Sequence, residues 1–176
     1  LWNDKVLIGV ETTHSAMINY SINEIKEINE ISDIIVLSYY PIYDDFTVKS
    51  IDKIKNDIEE VFNIYKDKYL YIEECGYPSS KLCNSSENLQ ADFIDEMFNI
   101  YNKFKNKIIF IGFLWLTELS DDMVDTYVTM YQMSDHKNLL AFKEYLKTTG
   151  LRYYNNYGED KKAFEHLKAN LNNKNF

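Results

Sequence analysis

The groups in this chain that could do chemistry collect where apolar runs end. Tyr69-Leu70-Tyr71-Ile72 reads as a buried strand that stops at two carboxylates, Glu73 and Glu74. Cys75-Gly76-Tyr77-Pro78 comes next, and its Gly and Pro turn the chain. A carboxylate at the C-terminal tip of a parallel strand sits where α/β folds build their active sites. As a nucleophile Glu74 must stay ionised, which calls for hydrogen-bond donors or positive charge nearby. As a structural group it would cap or hydrogen-bond the turn at Gly76. Strand parity groups Glu74 with Ile72 and Leu70, on a face that is expected to point inward, and sends Glu73 toward the helices or the rim.

Other candidates sit at the same end of the chain's apolar runs. Glu11 and His14 come after Val6–Val10. Glu11 is a second carboxylate whose plainer role is a rim salt bridge, and His14 is either a hydroxyl-binding group or an unused loop residue. Tyr39 and Tyr40 end the second run, and Trp115 ends the last. Each of these rings packs the core or presents a flat face with a polar handle. Glu118, Asp121 and Asp122 suit the cap of a helical turn better than a Ca²⁺ site, which wants six or more oxygens. His136 and His166 lie in or near helices and read as structural.

Four short continuous runs, Val6–Val10, Ile34–Leu37, Tyr69–Ile72 and Ile108–Leu114, read as strands. Helical patterns separate them. Ser21-Ile22-Asn23-Glu24 is a capping box opening a helix with Ile22, Ile25 and Ile28 on one side. Ile51, Ile54, Ile58, Val61, Phe62 and Tyr65 form the stripe of a second helix, and Phe93, Met97, Ile100 and Phe104 that of a third. Further helices are expected over 138–148, ending at Gly150 as a C′ residue, and over 160–171. The βαβαβαβα order predicts parallel strands in a single α/β domain, residues 1–176, without a linker. A free-standing doubly wound sheet would want a glycine-rich first turn. Val10-Glu11-Thr12-Thr13-His14 has none. Four βα units are half of an eight-unit barrel.

Composition narrows the function. With 45% apolar residues among 176, the chain can bury a sizeable core. A net charge of -9 and the lack of a basic block disfavour nucleic acid. The longest apolar run, residues 108–116, is too short to span a bilayer. No signal peptide is evident, and a chain opening at Leu1 rather than Met can begin upstream of this point. Cys75 and Cys83 share one loop and read either as a disulfide or as two free thiols. No metal is expected, since no His lies close to them in sequence.

Taken in order, the strand ends resemble the second half of the (β/α)8 retaining glycoside hydrolases of the two-glutamate superfamily. Asp33-Ile34-Ile35-Val36-Leu37-Ser38-Tyr39-Tyr40-Pro41 is similar to their sixth strand, in the form familiar from endo-β-1,4-galactanases. Glu74-Cys75-Gly76-Tyr77-Pro78-Ser79 resembles the Glu-x-Gly-(Tyr/Trp)-Pro-Ser run of the seventh. Asn84-Ser85-Ser86, with Gln90-Ala91, resembles the entry to the seventh helix, and Phe113-Leu114-Trp115 the eighth strand. Residues 149–152 and 158–164 resemble the closing signature, with Asp160-Lys161-Lys162-Ala163-Phe164 where the family has Pro-Lys-Pro-Ala-Trp.

The resemblance implies strands 5–8 of a TIM barrel and retaining hydrolysis of a β-linked glycan. Glu74 would be the catalytic nucleophile, and Tyr40, Trp115, Tyr39, His14 and Tyr77 would bind substrate. The family's acid/base glutamate comes after an Asn at the fourth strand, and no such strand end occurs here. The implied partners are an oligo- or polysaccharide and an N-terminal half that completes the barrel, without which this segment is inactive. No cofactor is implied, and a secreted or cell-surface setting is favoured. Two rival expectations are a catalytically inactive carbohydrate-binding barrel and a small α/β domain unrelated to glycosidases.

Overall fold

The structure is a computed structural model that describes residues 6–20, 22–154 and 158–173. Its strands are β1 (Glu11–Thr13), β2 (Ile34–Tyr39), β3 (Tyr69–Cys75) and β4 (Ile108–Phe113). Its α-helices are α1 (Ile22–Ile31), α2 (Ile51–Ile64), α3 (Glu87–Phe104), α4 (Asp121–Met130), α5 (Leu139–Thr148) and α6 (Lys162–Asn172). All strand pairs are parallel, in the order β1-β2-β3-β4. The winding never reverses, so the sheet lacks the switch point of a doubly wound domain.

Helices α2, α3 and α6 share one face of the sheet. Leu37 and Tyr39 of β2 and Leu70, Ile72 and Cys75 of β3 pack with Ile54 and Ile58 of α2, Phe93 and Met97 of α3 and Ala163 of α6. Each fully buried Ile or Met contributes roughly 1.5–3 kcal/mol. The stripes on α2 and α3 are those expected from their spacing, and Ile54, Ile58, Met97 and Phe93 are wholly buried. Ser86 caps α3 through its hydroxyl, which accepts the Leu89 N–H at 3.2 Å. Helices on one side and one-way winding make a curved set of barrel staves.

Several expectations need correction. The first strand is 11–13, not Val6–Val10. The earlier residues touch β2 through Ile8, whose carbonyl accepts from Asp33 N–H at 2.7 Å, and Val6 and Ile8 are 78% and 65% exposed. Among the described residues this outermost segment has a neighbour on one side only, so its apolar character does not secure burial. On α1, Ile25 is buried while Ile28 stays 41% exposed, and Ser21 of the expected capping box lies outside the described residues. α5 ends as expected, yet Gly150 is not a left-handed cap. A side chain there would collide with the backbone of Thr117 and Glu118.

One helix was missed. α4 is capped by Ser120, whose hydroxyl accepts Met123 N–H at 3.2 Å, with Asp121 and Asp122 in its first turn. It pairs with α5 around Leu119, Val124, Val128, Phe142 and Leu146, a cluster separate from the main core. The hairpin is tied to the loop after β3 by Ser80, whose hydroxyl donates to Glu144 at 2.6 Å.

Candidate functional site

β3 places its carboxylate by breaking register. Ile72 pairs with Leu37, but the next β2 residue, Ser38, pairs with Glu74. The ladder to β4 shifts over the same stretch. Glu73 is therefore an extra, bulged residue, and a one-residue insertion moves every later side chain of the strand to the opposite face. Leu70 and Ile72 face the helices, so the expectation that Glu74 shares their face is corrected. Glu74 shares the face of Ser38, away from the helices, and the Ser38 hydroxyl donates to its Oε1 at 2.9 Å. Gly112 of β4 makes room for the bulge, because a side chain there would run into the Glu73 carbonyl.

Tyr40 and Glu11 share this concave side. Burial, then the neighbouring Tyr145 and Glu74, push the Tyr40 phenol well above its ordinary pKa, with a hydrogen bond to Glu74 adding to the effect. A phenol that holds its proton is a donor to an ionised carboxylate. Glu11 pairs with Val36, and Thr13 with Ser38, so both point to Ser38's face. The Glu11 carboxyl is raised by burial first and then by Glu73 and Glu74. Two strands thus bring three carboxyl groups to one face.

Trp115 stands at the same strand tips. The preceding Leu114 N–H donates to Cys75 C=O at 2.9 Å, which extends β4 beside the turn at Gly76. A side chain at Gly76 would meet Leu114 O at 2.8 Å and Tyr40 Cε1 at 3.0 Å, so the glycine lets these parts close up. Trp115 is half-buried, 5.9 Å from the Tyr127 ring.

Three expected substrate binders lie elsewhere. Tyr39 is fully buried on the helix side, and its hydroxyl donates to Asp57 at 3.1 Å. Tyr77 is 1% exposed, stacked on Phe93 at 5.3 Å, and donates to Lys49 C=O at 2.7 Å. His14 is buried against Tyr39, 4.0 Å from Asp57. Burial lowers its pKa, and Lys49 does so further, against the opposing pull of Asp57 and Glu60. All three pack behind the sheet, because the strand and turn residues carrying them alternate away from the open face. Cys75 and Cys83 are buried free thiols, both pushed up by burial, Cys83 to about 12.

Sequence reasoning missed the groups that brace the site. Lys161 is wholly buried and donates to Glu118 Oε1 at 3.1 Å, Thr148 C=O at 2.9 Å and Gly150 C=O at 2.8 Å. Gln90 donates to the Thr149 carbonyl at 2.9 Å. Together they fix the segment that returns from the α4–α5 hairpin. Both lie in runs already noted, so the signal was a polar residue at a core position of a helix entry. Glu118 serves this brace, and Asp121 pairs with Lys147. Among the described residues no group of three or more His, Cys, Asp or Glu is arranged to hold a metal ion.

No protein-family model and no curated protein sequence matches the chain. Solved structures do match in fold. A xylanase 10B from Thermotoga petrophila in complex with xylobiose aligns over 96% of this chain and 47% of its own, with a TM-score of 0.56 and 18% identity. A GH128 endo-β-1,3-glucanase from Lentinula edodes aligns over 89% and 54%, with a TM-score of 0.54 and 15% identity. Bacteroides uniformis β-glucuronidase 2, covalently bound to cyclophellitol-6-carboxylate aziridine, aligns over 88% and 16%, with a TM-score of 0.55 and 12% identity. The fold is part of a TIM barrel. The neighbours are glycoside hydrolases, and the chain spans between 16% and 54% of their lengths.

Proposed function

We propose that this chain is the nucleophile-bearing part of a retaining β-glycosidase barrel, with Glu74 attacking the anomeric carbon. The supporting observation is the bulge at Glu73, which turns Glu74 to the open face against the Ser38 hydroxyl. Donors to a carboxylate favour its ionised form, which a nucleophile needs. Tyr40 offers a second donor, and Trp115 a ring for the apolar face of a pyranose.

Retention requires a second carboxyl group about 5–5.5 Å from the first, to protonate the leaving oxygen and later activate water. In this reading that group is a glutamate on an upstream segment, which completes the ring of strands, and residues 1–176 alone do not turn over. Glu11 remains the rim carboxylate. The substrate is a β-linked oligo- or polysaccharide.

The test uses the full-length protein and aryl β-glycosides. Glu74→Gln should abolish turnover while glycan binding, measured by calorimetry, persists. Unimpaired turnover in that variant refutes the assignment. A wild type that binds glycans without hydrolysing them would establish a binding barrel instead.

A further inference from the structure

We infer that Tyr145 is a positioning residue for the nucleophile: from the α4–α5 hairpin, its ring holds the Tyr40 phenol in place against Glu74. The inference rests on the retaining-glycosidase reading above and adds to it a residue that lies on none of the strands.

Glu74 has two donors of unequal security. Ser38 lies within β2, where pairing with β3 fixes its backbone beside Glu74. Tyr40 comes one residue past the end of β2, so the strand ladder does not hold it. Its phenol stands at the end of a long side chain that rotates about two torsions. A hydroxyl on such a lever stays on the carboxylate only if the ring is packed in place. Two contacts pack it. Gly76 lies so close that a side chain there would meet Tyr40 Cε1 at 3.0 Å. The Tyr145 ring meets Tyr40 edge to face, with centroids 5.8 Å apart and planes at 88°, a favoured aromatic geometry. The Tyr145 phenol is itself pushed up by burial first and then by the Glu74 charge, which puts it within the field of the carboxylate.

Tyr145 is in turn gripped by the loops after β2 and β3. Phe46 stacks on it at 5.9 Å and 27°. Phe46 holds a left-handed φ of 65°, which a bulky residue seldom adopts. Asp45 pins the turn, accepting from the Thr47 N–H at 3.0 Å and the Thr47 hydroxyl at 2.6 Å. Strain of this kind persists where the surroundings over-determine it, and it gathers at functional sites. From the other loop, the Ser80 hydroxyl donates to Glu144, the residue before Tyr145, at 2.6 Å. The Ser79 N–H donates to the Thr148 carbonyl at 3.2 Å. Ser79 and Ser80 follow directly on the turn that ends Glu74's strand. The hairpin is thereby tied to the chain segment that carries the nucleophile, and Tyr145 passes that constraint to Tyr40.

A mutant cycle on the full-length protein tests this, with dinitrophenyl β-glucoside, β-galactoside and β-xyloside as substrates. Their leaving group needs no protonation, so kcat/KM reads the attack by Glu74 rather than the work of the acid. Tyr145→Leu should lower kcat/KM about tenfold, roughly the worth of one hydrogen bond to a charged group, while glycan affinity by calorimetry is unchanged. Tyr145→Phe, which keeps the ring, should restore most of the rate. Tyr40→Phe removes the hydroxyl that Tyr145 aims, so Tyr145→Leu should cost nothing further in that background. Should Tyr145→Leu not fold, Ser80→Ala, which unties the hairpin, decides: it should lower kcat/KM in wild type and not in Tyr40→Phe. The same fold-loss in both backgrounds marks a purely structural ring and overturns the inference, as does an unchanged rate in Tyr145→Leu, or in Ser80→Ala where that variant decides. If Glu74→Gln is inactive, such a result removes the role of Tyr145 alone. Full turnover in Glu74→Gln, or a wild type that hydrolyses none of the three glycosides, removes the glycosidase reading and this role with it.

Discussion

Gly112→Ala is the sharpest probe of how this fold aims its carboxylate. The added methyl would lie 2.9 Å from Phe110 Cε1 and 3.3 Å from the Glu73 carbonyl carbon, and far inside contact with that carbonyl's oxygen. Phe110 is a side-chain edge and can swing away. The carbonyl belongs to the bulge itself and cannot move without carrying the next peptide, that of Glu74. Restoring ordinary contact needs a retreat of roughly 1 Å. The Ser38–Glu74 hydrogen bond, now 2.9 Å, does not survive such a shift unless Ser38 moves with it. Overpacking of this kind costs about 1–3 kcal/mol of stability. In an active full-length enzyme, misplacement of a reacting group by about 1 Å costs on the order of 100-fold in rate. Urea unfolding and aryl-glycoside turnover read the two effects separately. A variant that matches wild type in both would refute the account of Gly112 as the bulge's seat. A variant that loses stability while keeping full turnover would show that Glu74's aim is independent of the bulge.

Two further substitutions test the frame around the site. Lys161→Met leaves Glu118 and two carbonyls without their buried partner, and should cost about 3–5 kcal/mol in urea unfolding, with a smaller loss when Glu118→Leu is added; a loss below about 1 kcal/mol would contradict the brace. His14 is held below its ordinary pKa of 6.5 mainly by burial, so the unfolded chain binds more protons between the folded value and 6.5. Stability should therefore rise with pH through that window and fall on acidification, and His14→Gln should flatten the dependence of the urea midpoint between about pH 5 and 7. An equal slope in the variant would assign the dependence to other groups.

The main architecture was legible because buried parallel strands and helix stripes write strong periodic patterns. Ile54, Ile58, Phe93 and Met97 are core residues, and their spacing alone said so. The errors cluster where pattern and partner disagree. Val6–Val10 is as apolar as any core strand, yet among the described residues it borders the start of β2, at Asp33, Ile34 and Val36, on one side, and hydrophobicity does not report how many neighbours a segment has. α4 was missed because only Val124 and Val128 of it are buried, too few to write a stripe. Tyr39, Tyr77 and His14 were expected in the cleft because they sit near strand ends, but position along a strand does not say which face a side chain takes. Glu74 is instructive here. Strict alternation along β3 would put it on the face of Leu70 and Ile72, and the bulge puts it on the opposite one. The glycine that marks the bulge, Gly112, lies on the neighbouring strand, where only three-dimensional pairing connects the two.

That pairing explains why the site tolerates so acidic a surface. Glu11, Glu73 and Glu74 repel one another, and unscreened like charges in a closed site would push protons onto at least one of them. Here Glu73 is exposed on its bulge, Glu11 stands on the outermost strand, and Glu74 has the Ser38 hydroxyl. Solvent therefore carries most of the charge on the first two, and protein donors serve the third. The same face also leaves Ile109 and Phe110 of β4 at 47% and 42% exposure, with Tyr71 stacked on Phe110 at 4.5 Å. Apolar side chains at these inward positions are what fills the interior of a closed barrel. Closing the ring as proposed would cover them and remove water from around Glu74. Lower polarity would strengthen the Ser38 and Tyr40 contacts and raise the proton affinity of Glu11 further. Closure would thus tighten the donors that hold Glu74 in place, while Glu11 stays at the rim and the acid/base role stays with the upstream glutamate of the completed ring.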